Sequence, residues 1–166
     1  MKRLLATITV VATLAATSAS AFDPAHLKRL METNECESCD LSAANLGSVK
    51  LTGAKLTNAN LSTADFTNAN LTGADLTQAN LSTADFTNAN LTGAYLPRAY
   101  LKEANLTNAN LSNTNLTNAN LTNANLTNAK LSGATLIRAI LVDTLMNDVI
   151  LCNTTMPDGG VIYSGC

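Results

Sequence analysis

The chain has 166 residues, a formal net charge of −2, one histidine and no tryptophan. It contains neither a G-x-S-x-G nucleophile motif nor a glycine-rich phosphate loop, so the sequence predicts no enzyme and no cofactor or metal. The near balance of 10 basic and 12 acidic residues argues against binding to nucleic acid.

Residues 1–21 have the pattern of a secretory signal peptide. Lys2 and Arg3 precede an apolar stretch, and Ala19 and Ala21 form a small-residue cleavage site. We expect cleavage after Ala21 rather than a retained anchor, because the apolar stretch is shorter than the ~20 residues of a membrane span. No membrane insertion is expected after this removal, and the remaining length suits one domain.

Residues 22–40 are predicted to form an N-terminal cap with a short α-helix and a C-x-x-C loop. Asp23 is a good N-cap and Pro24 suits the first helical position. Three apolar residues share one face and would cover the open end of the structure that follows: Leu27, Leu30 and Met31. His26 is expected to be a surface residue.

From Leu41 to Met156 an apolar residue recurs at every fifth position. Ala stands two residues before it, Asn or Asp just before it, and Thr or Ser just after it. Neither the period of 2 of a strand nor the period of 3.6 of a helix explains this spacing. If each unit forms one side of a square coil, four units close a turn and residue n stacks on residue n+20.

In such a coil the large apolar residue and the Ala point inward, and the other three residues face solvent. Phe66 and Phe86 are 20 residues apart and would stack on each other. The predicted core ladder includes Leu61, Phe66, Leu71, Leu76, Leu81, Phe86 and Leu91, with Ala64 and Ala84 as small members.

The repeated A-[N/D]-L-[S/T]-x pattern resembles the pentapeptide-repeat family. This resemblance implies an all-β solenoid, the right-handed quadrilateral β-helix, over residues 41–156. A step of five from 41 to 156 gives 24 units, which is about six coils of four units. Residues 157–166 would then form a C-terminal capping tail.

The sequence YLPRAYL interrupts the regular pattern in mid-rod. Tyr95 and Tyr100 occupy the outward position before Leu, beside Arg98 and Lys102. Exposed aromatic residues with arginine are typical of protein-binding hot spots. We call these four residues the tyrosine patch and predict that they contact a protein partner.

The last coil carries apolar residues at outward positions: Ile137, Ile140, Val142, Leu145 and Ile150. So much apolar surface should be covered. The turn in residues 157–160 favours a tail that folds back over it, and a second molecule is the alternative. The chain is therefore expected to be a monomer or a weak dimer through the C-terminal coil.

Four cysteines allow three disulfide connectivities. An exported protein usually oxidises its cysteines in pairs, and the geometry of a rod favours Cys36 with Cys39 and Cys152 with Cys166. A free or labile Cys36/Cys39 pair is the competing interpretation.

The early C-x-x-C-D-L of residues 36–41 and the late L-C-N-T-T-M-P-D-G with a final S-G-C resemble exported members from cyanobacteria and thylakoid lumens. This resemblance implies a periplasmic or lumenal protein whose role is generally unassigned.

A non-enzymatic structural or protein-interaction module is thus the first functional hypothesis, with an unidentified protein partner. The alternative is a redox-sensitive regulatory protein that uses Cys36 and Cys39. Two remote hypotheses are a DNA mimic that binds gyrase, which would need a dense acidic surface, and an ice or polysaccharide binder. The last would use a column of stacked threonines: Thr67, Thr87, Thr107 and Thr127.

Overall fold

The computed structural model describes residues 22–163 and 165–166. The predicted signal peptide, with Ala19 and Ala21, lies outside the described residues. One α-helix, α1 (Pro24–Thr33), precedes a long run of short parallel bridges, and two short strands follow, β1 (Thr154–Thr155) and β2 (Val161–Ile162).

Helix α1 begins where its sequence predicts. The Asp23 carboxylate accepts a hydrogen bond from the Ala25 N–H at 2.8 Å. Leu30 is buried and Leu27 packs partly against the core, but Met31 is 40% exposed. The expectation for Met31 was therefore wrong. Successive helical residues are rotated by about 100°, so the neighbour of a fully buried Leu30 turns away from the core.

Parallel bridges join residue n to residue n+20 throughout the rod, from Glu35–Lys55 to Thr135–Thr155. This pairing confirms the 20-residue coil and the β-helix fold. The bridges begin at Glu35, ahead of the Leu41 that opens the repeat in the sequence. The number of coils and their handedness stay predictions.

The unit that begins at Leu61 shows how five residues satisfy five N–H groups. We number its positions one to five, from the apolar residue at position one to the residue before the next apolar one. The first and third N–H groups donate to carbonyls of the next coil, and the fifth donates to the previous coil. The fourth N–H closes a tight turn on the first carbonyl, from Ala64 to Leu61 at 3.2 Å.

The second N–H has no backbone partner and relies on a side chain. In this unit the Ser62 N–H donates to the Asn60 Oδ1 at 3.3 Å, and Thr72 does the same with Asn70 at 3.1 Å. Short Asn and Asp side chains suit this local bond to the N–H two residues on. The preference for Asn or Asp before Leu follows from this need.

The third position has a left-handed backbone in every unit from Ser38 to Asn153. Positive φ at the third residue, with a bond from the fourth N–H to the first carbonyl, is the geometry of a type II turn. Asn and Gly dominate this position because they tolerate positive φ at low cost.

The first and fourth positions point inward and form one continuous core. The predicted ladder residues are all buried: Leu61, Ala64, Phe66, Leu71, Leu76, Leu81, Ala84, Phe86 and Leu91. The rings of Phe66 and Phe86 stack in parallel with their centroids 4.8 Å apart. Cys36 and Cys39 occupy a first and a fourth position, so their disulfide is part of this core.

The C-terminal tail lies beside one side of the last coil. Strand β2 pairs antiparallel with β1, and Cys152 is bonded to Cys166. The tail lies beside only part of the outward apolar surface. Gly165 is next to Ile150, which is partly buried, whereas Val142 is 57% exposed and Leu145 is 53% exposed, contrary to the expectation that the tail covers them. The physical reason is that the tail follows the backbone edge of β1, which is on the side of the coil opposite Leu145.

Candidate functional site

The tyrosine patch spans three successive units: Tyr95 lies in residues 91–95, Arg98 and Tyr100 in residues 96–100, and Lys102 in residues 101–105. Pro97 is at a second position, where the type II turn favours proline. The N–H of a second position has no backbone acceptor, so proline loses no backbone hydrogen bond there. The preceding fifth position is Tyr95, whose side chain could not accept the bond that Asn or Asp accepts. Proline and tyrosine are therefore compatible changes to the repeat, and the ladder continues through them.

Both tyrosines are held by the backbone while their rings face outward. Tyr95 is bridged to Asp75 and Asn115 in the neighbouring coils, and Tyr100 is bridged to Asn80 and Asn120. Each tyrosine is 56% exposed. Because the backbone beneath them is bonded on both sides, little backbone entropy remains to be lost when a partner binds.

The two basic residues of the patch differ in their surroundings. Lys102 forms an exposed ion pair with Glu103, with 3.4 Å between Nζ and Oε1. Arg98 is exposed at the third position of its turn, with φ 59, and has no salt bridge within the described residues. The patch thus presents two phenol rings and one unpaired guanidinium, which suits a partner with acidic or carbonyl groups.

Tyr95 and Tyr100 occupy the fifth positions of two successive units, Arg98 a third position and Lys102 a second position. Phenol, guanidinium and ammonium groups can donate hydrogen bonds, and the phenol rings can pack against apolar surface.

The Cys36–Cys39 disulfide is unlike an exposed redox pair. Cys36 is fully buried and Cys39 is 2% exposed, beneath α1. Cys152 is partly exposed and Cys166 is exposed. A reductant in solution therefore reaches the C-terminal disulfide more easily than the N-terminal one.

His26 contributes to the cap rather than to a reactive site. Its Nδ1 accepts a hydrogen bond from the Asp40 N–H at 3.1 Å, and it is partly buried. This hydrogen bond fastens α1 to the first coil. Among residues 22–163 and 165–166, no group of three or more His, Cys, Asp or Glu side chains could hold a metal ion.

Three of the four threonines in the column use their hydroxyl donors in hydrogen bonds within the coil, and Thr67 bonds to Asp65 through its backbone N–H alone. Thr87 donates to Asp85, Thr107 to Asn105 and Thr127 to Asn125, each at 2.6 Å. A flat array that binds ice or a sugar needs these donors to be available. The geometry thus weighs against this remote hypothesis.

Two structural signals in the sequence were missed by periodicity alone. The enrichment of Asn and Gly at the third position marks the left-handed turn, and it is visible in the sequence. Extending the five-residue count backward from Leu41 also places Cys36 at a first position and Cys39 at a fourth. The open backbone edge of the last coil, by contrast, has no signal of its own in the sequence.

A family model described as pentapeptide repeats matches residues 44–82, 84–123 and 119–156. The chain is similar to the pentapeptide repeat protein Rfr23 from the cyanobacterium Cyanothece 51142, with 30% identity and a TM-score of 0.62 over 75% of this chain and 92% of that one. It is also similar to a pentapeptide repeat protein from the thylakoid lumen of Arabidopsis thaliana, with 26% identity and a TM-score of 0.36 over 78% and 70% of the two chains. No protein of curated function matches.

Proposed function

The chain belongs to the pentapeptide-repeat family, and we propose that it is a non-enzymatic protein-interaction module that works in the periplasm or the thylakoid lumen. The tyrosine patch is its contact surface, and its partner is another protein. The bonded ladder provides a rigid support that holds the patch in one geometry.

One observation carries this proposal. Tyr95 and Tyr100 are large aromatic residues, each 56% exposed, in a register that residues 40–90 and 105–130 fill with Asn, Asp or Lys. Tyrosine and arginine are enriched at the hot spots of protein interfaces. Arg98 between them adds a cation that has no ion pair in the described part of the chain.

The test is capture of partners from the native compartment with the intact protein and with the double variant Tyr95→Thr, Tyr100→Thr. A matched control is Lys50→Thr, Lys130→Thr, which changes exposed residues in the same register to the same residue. We expect the tyrosine variant to lose a partner that the intact protein and the lysine variant both retain. Retention of every partner by the tyrosine variant would contradict the proposal.

The export part of the proposal is supported by the signal-peptide pattern in residues 1–21. No helix within the described residues is long and apolar enough to cross a membrane. N-terminal sequencing of the protein from fractionated cells tests this part. A chain that begins at Phe22 in the exported fraction is expected, and a chain that keeps residues 1–21 in the cytoplasm would contradict it.

The redox alternative uses the Cys36/Cys39 pair. It predicts that this pair is reduced at a milder potential than Cys152–Cys166. Burial of Cys36 and Cys39 under α1 favours the opposite order, so the interaction module is preferred. A DNA mimic is disfavoured because residues 41–156 hold as many basic as acidic residues, six of each.

The oligomeric state belongs to the same proposal. The chain works as a monomer or as a weak dimer through its C-terminal coil, where exposed apolar residues gather. This surface is separate from the tyrosine patch along the chain.

A further inference from the structure

One side of the rod carries opposite charges along its two margins. The two arginines of residues 41–156, Arg98 and Arg138, both stand at third positions of their units. Glu103 and Asp143 also stand at third positions, each five residues after an arginine. In each pair of like charge the residues are 40 apart, which is two 20-residue coils or about 9.6 Å along the rod.

Turns at the third positions border this side, and bridged residues at fifth positions lie between the turns. Backbone hydrogen bonds stack each turn on the turn of the next coil, for example from the Arg98 N–H to the Thr117 carbonyl at 2.9 Å. We call this side the charge-pair face. It holds three columns, each in chain order: Arg98, Asn118 and Arg138; Tyr100, Asn120 and Ile140; and Glu103, Asn123 and Asp143.

The charges of this face are available to another molecule. Arg98, Arg138 and Asp143 are exposed, and none of them forms a salt bridge within residues 22–163 and 165–166. Asp158 follows Arg138 in its column, but its Oδ1 accepts a hydrogen bond from the Gly160 N–H at 2.9 Å. Both arginines can therefore meet a carboxylate from outside the chain.

Glu103 can also accept a second cation. Its Oε1 is 3.4 Å from the Nζ of Lys102 in an exposed ion pair. Exposed pairs of this kind contribute little to stability, and an ionised carboxylate accepts hydrogen bonds at both of its oxygens. A guanidinium from another molecule can thus bind Glu103 while Lys102 stays in place.

Apolar side chains lie in and beside the middle column. Tyr100 is 56% exposed and Ile140 is 46% exposed. Ile137 and Val142 flank the column and are 38% and 57% exposed. Exposed apolar groups beside unpaired charges on one side of a regular rod indicate an interaction surface.

A second copy of the same face complements these charges. A twofold axis that runs parallel to the rod through the middle column exchanges the two outer columns and keeps each residue at its height. Arg98 then lies opposite Glu103 of the other copy, and Arg138 lies opposite Asp143 of the other copy. An axis across the rod would instead bring Arg98 against Arg138, where like charges repel. Charge therefore selects the dimer in which both rods run in the same direction.

The rest of the charge-pair face carries little charge. Asp40 lies at the N-terminal end of the middle column, where its Oδ1 accepts hydrogen bonds from the Ser42 N–H and the Asn60 side chain, each at 3.1 Å. These bonds disperse its negative charge. In the two coils before Arg98 the outer columns hold neutral residues: Asn58, Gln78, Thr63 and Thr83.

We infer that two copies of this chain form a weak dimer side by side, with the rods parallel and the two charge-pair faces in contact. A side of five residues is at most about 17 Å wide and the rod is about 30 Å long, so the contact falls below the ~800 Å² per partner of stable interfaces. The inference rests on the dimer part of the proposed function, because Ile140 and Asp143 belong to the C-terminal coil. It adds the face, the direction and the charge pairs, and the dimer covers Arg98 and Tyr100 of the tyrosine patch.

Charge reversal outside the tyrosine patch tests the pairing. The variants of the mature chain, residues 22–166, are Arg138→Glu and Asp143→Arg, and both introduced residue types already occur at third positions. Each variant places like charges opposite each other twice in a symmetric dimer. Sedimentation equilibrium should therefore show a dissociation constant raised by about tenfold or more for each. An equimolar mixture of the two variants should restore the dimer, because each position 138 then lies opposite an unlike charge at position 143.

Asp148→Arg is the matched control, because Asp148 is exposed at the third position of the next unit and lies outside the face. This control should dimerise as the unaltered chain does, and circular dichroism verifies that the coil is intact in every variant. A dimer that the single variants do not weaken, that the control weakens equally, or that the mixture does not restore would overturn the inference alone. A chain that stays monomeric up to about 1 mM would overturn both the inference and the dimer part of the proposed function. The capture test of the tyrosine patch is independent of each of these results.

Discussion

At the scale of single residues, the backbone N–H at the second position of each unit explains the preference for Asn or Asp at the fifth position before it. The other four N–H groups bond to backbone carbonyls, whereas the second takes the side chain of Asn or Asp before it. Where the fifth position is Lys or Tyr, no such acceptor is present. Pro97 stands after Tyr95, and it lacks the N–H that would otherwise be unpaired there.

Prolines in adjacent positions test this account. Thr57 follows Lys55 at a second position and its N–H makes no backbone bond, so Thr57→Pro should change the free energy of unfolding by less than about 1 kcal/mol. Asn58→Pro removes the bond to the Thr77 carbonyl at a residue with φ 58, and should destabilise by more than that. Urea unfolding of both variants gives the answer. Equal losses of stability in the two variants would show that the N–H at the second position contributes to stability.

The third position stores strain where it carries a β-branched residue. Thr83 has φ 57, a backbone that β-branched residues rarely adopt. Thr83→Asn should stabilise the protein by about 1 kcal/mol. The reverse control is Gly73→Thr, where a Cβ would meet no atom within 4 Å, so any loss comes from the backbone alone. If urea unfolding showed no gain in stability for Thr83→Asn and no loss for Gly73→Thr, the proposed strain at the third position would be wrong.

At the scale of elements, α1 and the first coil form one N-terminal cap. The Cys36–Cys39 disulfide fills two inward positions of this coil, and Leu30 covers them. An exposed ion pair joins the coil to the next one, with 2.7 Å between Lys55 Nζ and Glu35 Oε1. The cap therefore closes the end that would otherwise expose core and unpaired carbonyls.

The ion pair makes the cap sensitive to pH. The Lys55 ammonium, as hydrogen-bond donor and opposite charge, holds the pKa of Glu35 below its ordinary 4.5. Glu35 in turn raises the pKa of Lys55 above 10.5. A lowered carboxyl pKa stabilises the fold above the unfolded value and is lost as pH falls through the folded one. Its contribution is thus complete at neutral pH and is lost as the pH falls below the unfolded pKa of 4.5 and through the lower folded pKa.

The variant Glu35→Gln should therefore lower the melting temperature slightly at pH 7 and leave it unchanged at about pH 2.5. Glu37→Gln is the control for removal of a nearby charge without an ion pair, because the charge of Glu37 also raises the pKa of Lys55 but Glu37 has no ion pair in the part of the chain that the structure describes. Thermal unfolding followed by circular dichroism at both pH values measures the effect. A deficit of equal size at both would show that charge on Glu35 is not its source.

Sequence reasoning at this scale was accurate where the elements are periodic and inaccurate where they are not. The start of the helix follows from Asp23 and Pro24, and the inward positions follow from the five-residue period. The exposure of Met31 depends on the burial of its neighbour Leu30, and the position of the tail depends on the free backbone edge of β1. Neither feature produces a pattern in the sequence. The tail therefore pairs with β1 and leaves Leu145 exposed.

At the scale of the whole molecule, the proposed function depends on a rod whose structure repeats every 20 residues. Coils stack at the spacing of paired strands, about 4.8 Å, and each contacts mainly its neighbours. Surface residues are thereby placed at fixed intervals on a support with a filled core. The polar surface of the regular rod gives way to aromatic residues at the tyrosine patch in the middle. It gives way to aliphatic residues around Leu145 in the last coil.

The most direct test of the proposed role is photo-crosslinking from inside the tyrosine patch in the native compartment. A photoreactive amino acid replaces Arg98 in one variant and Asn58, two coils earlier in the same column, in the other. The interaction module predicts a specific crosslink to another protein from position 98 and none from position 58. A rod that crosslinks to nothing from position 98, or equally from both positions, would contradict it.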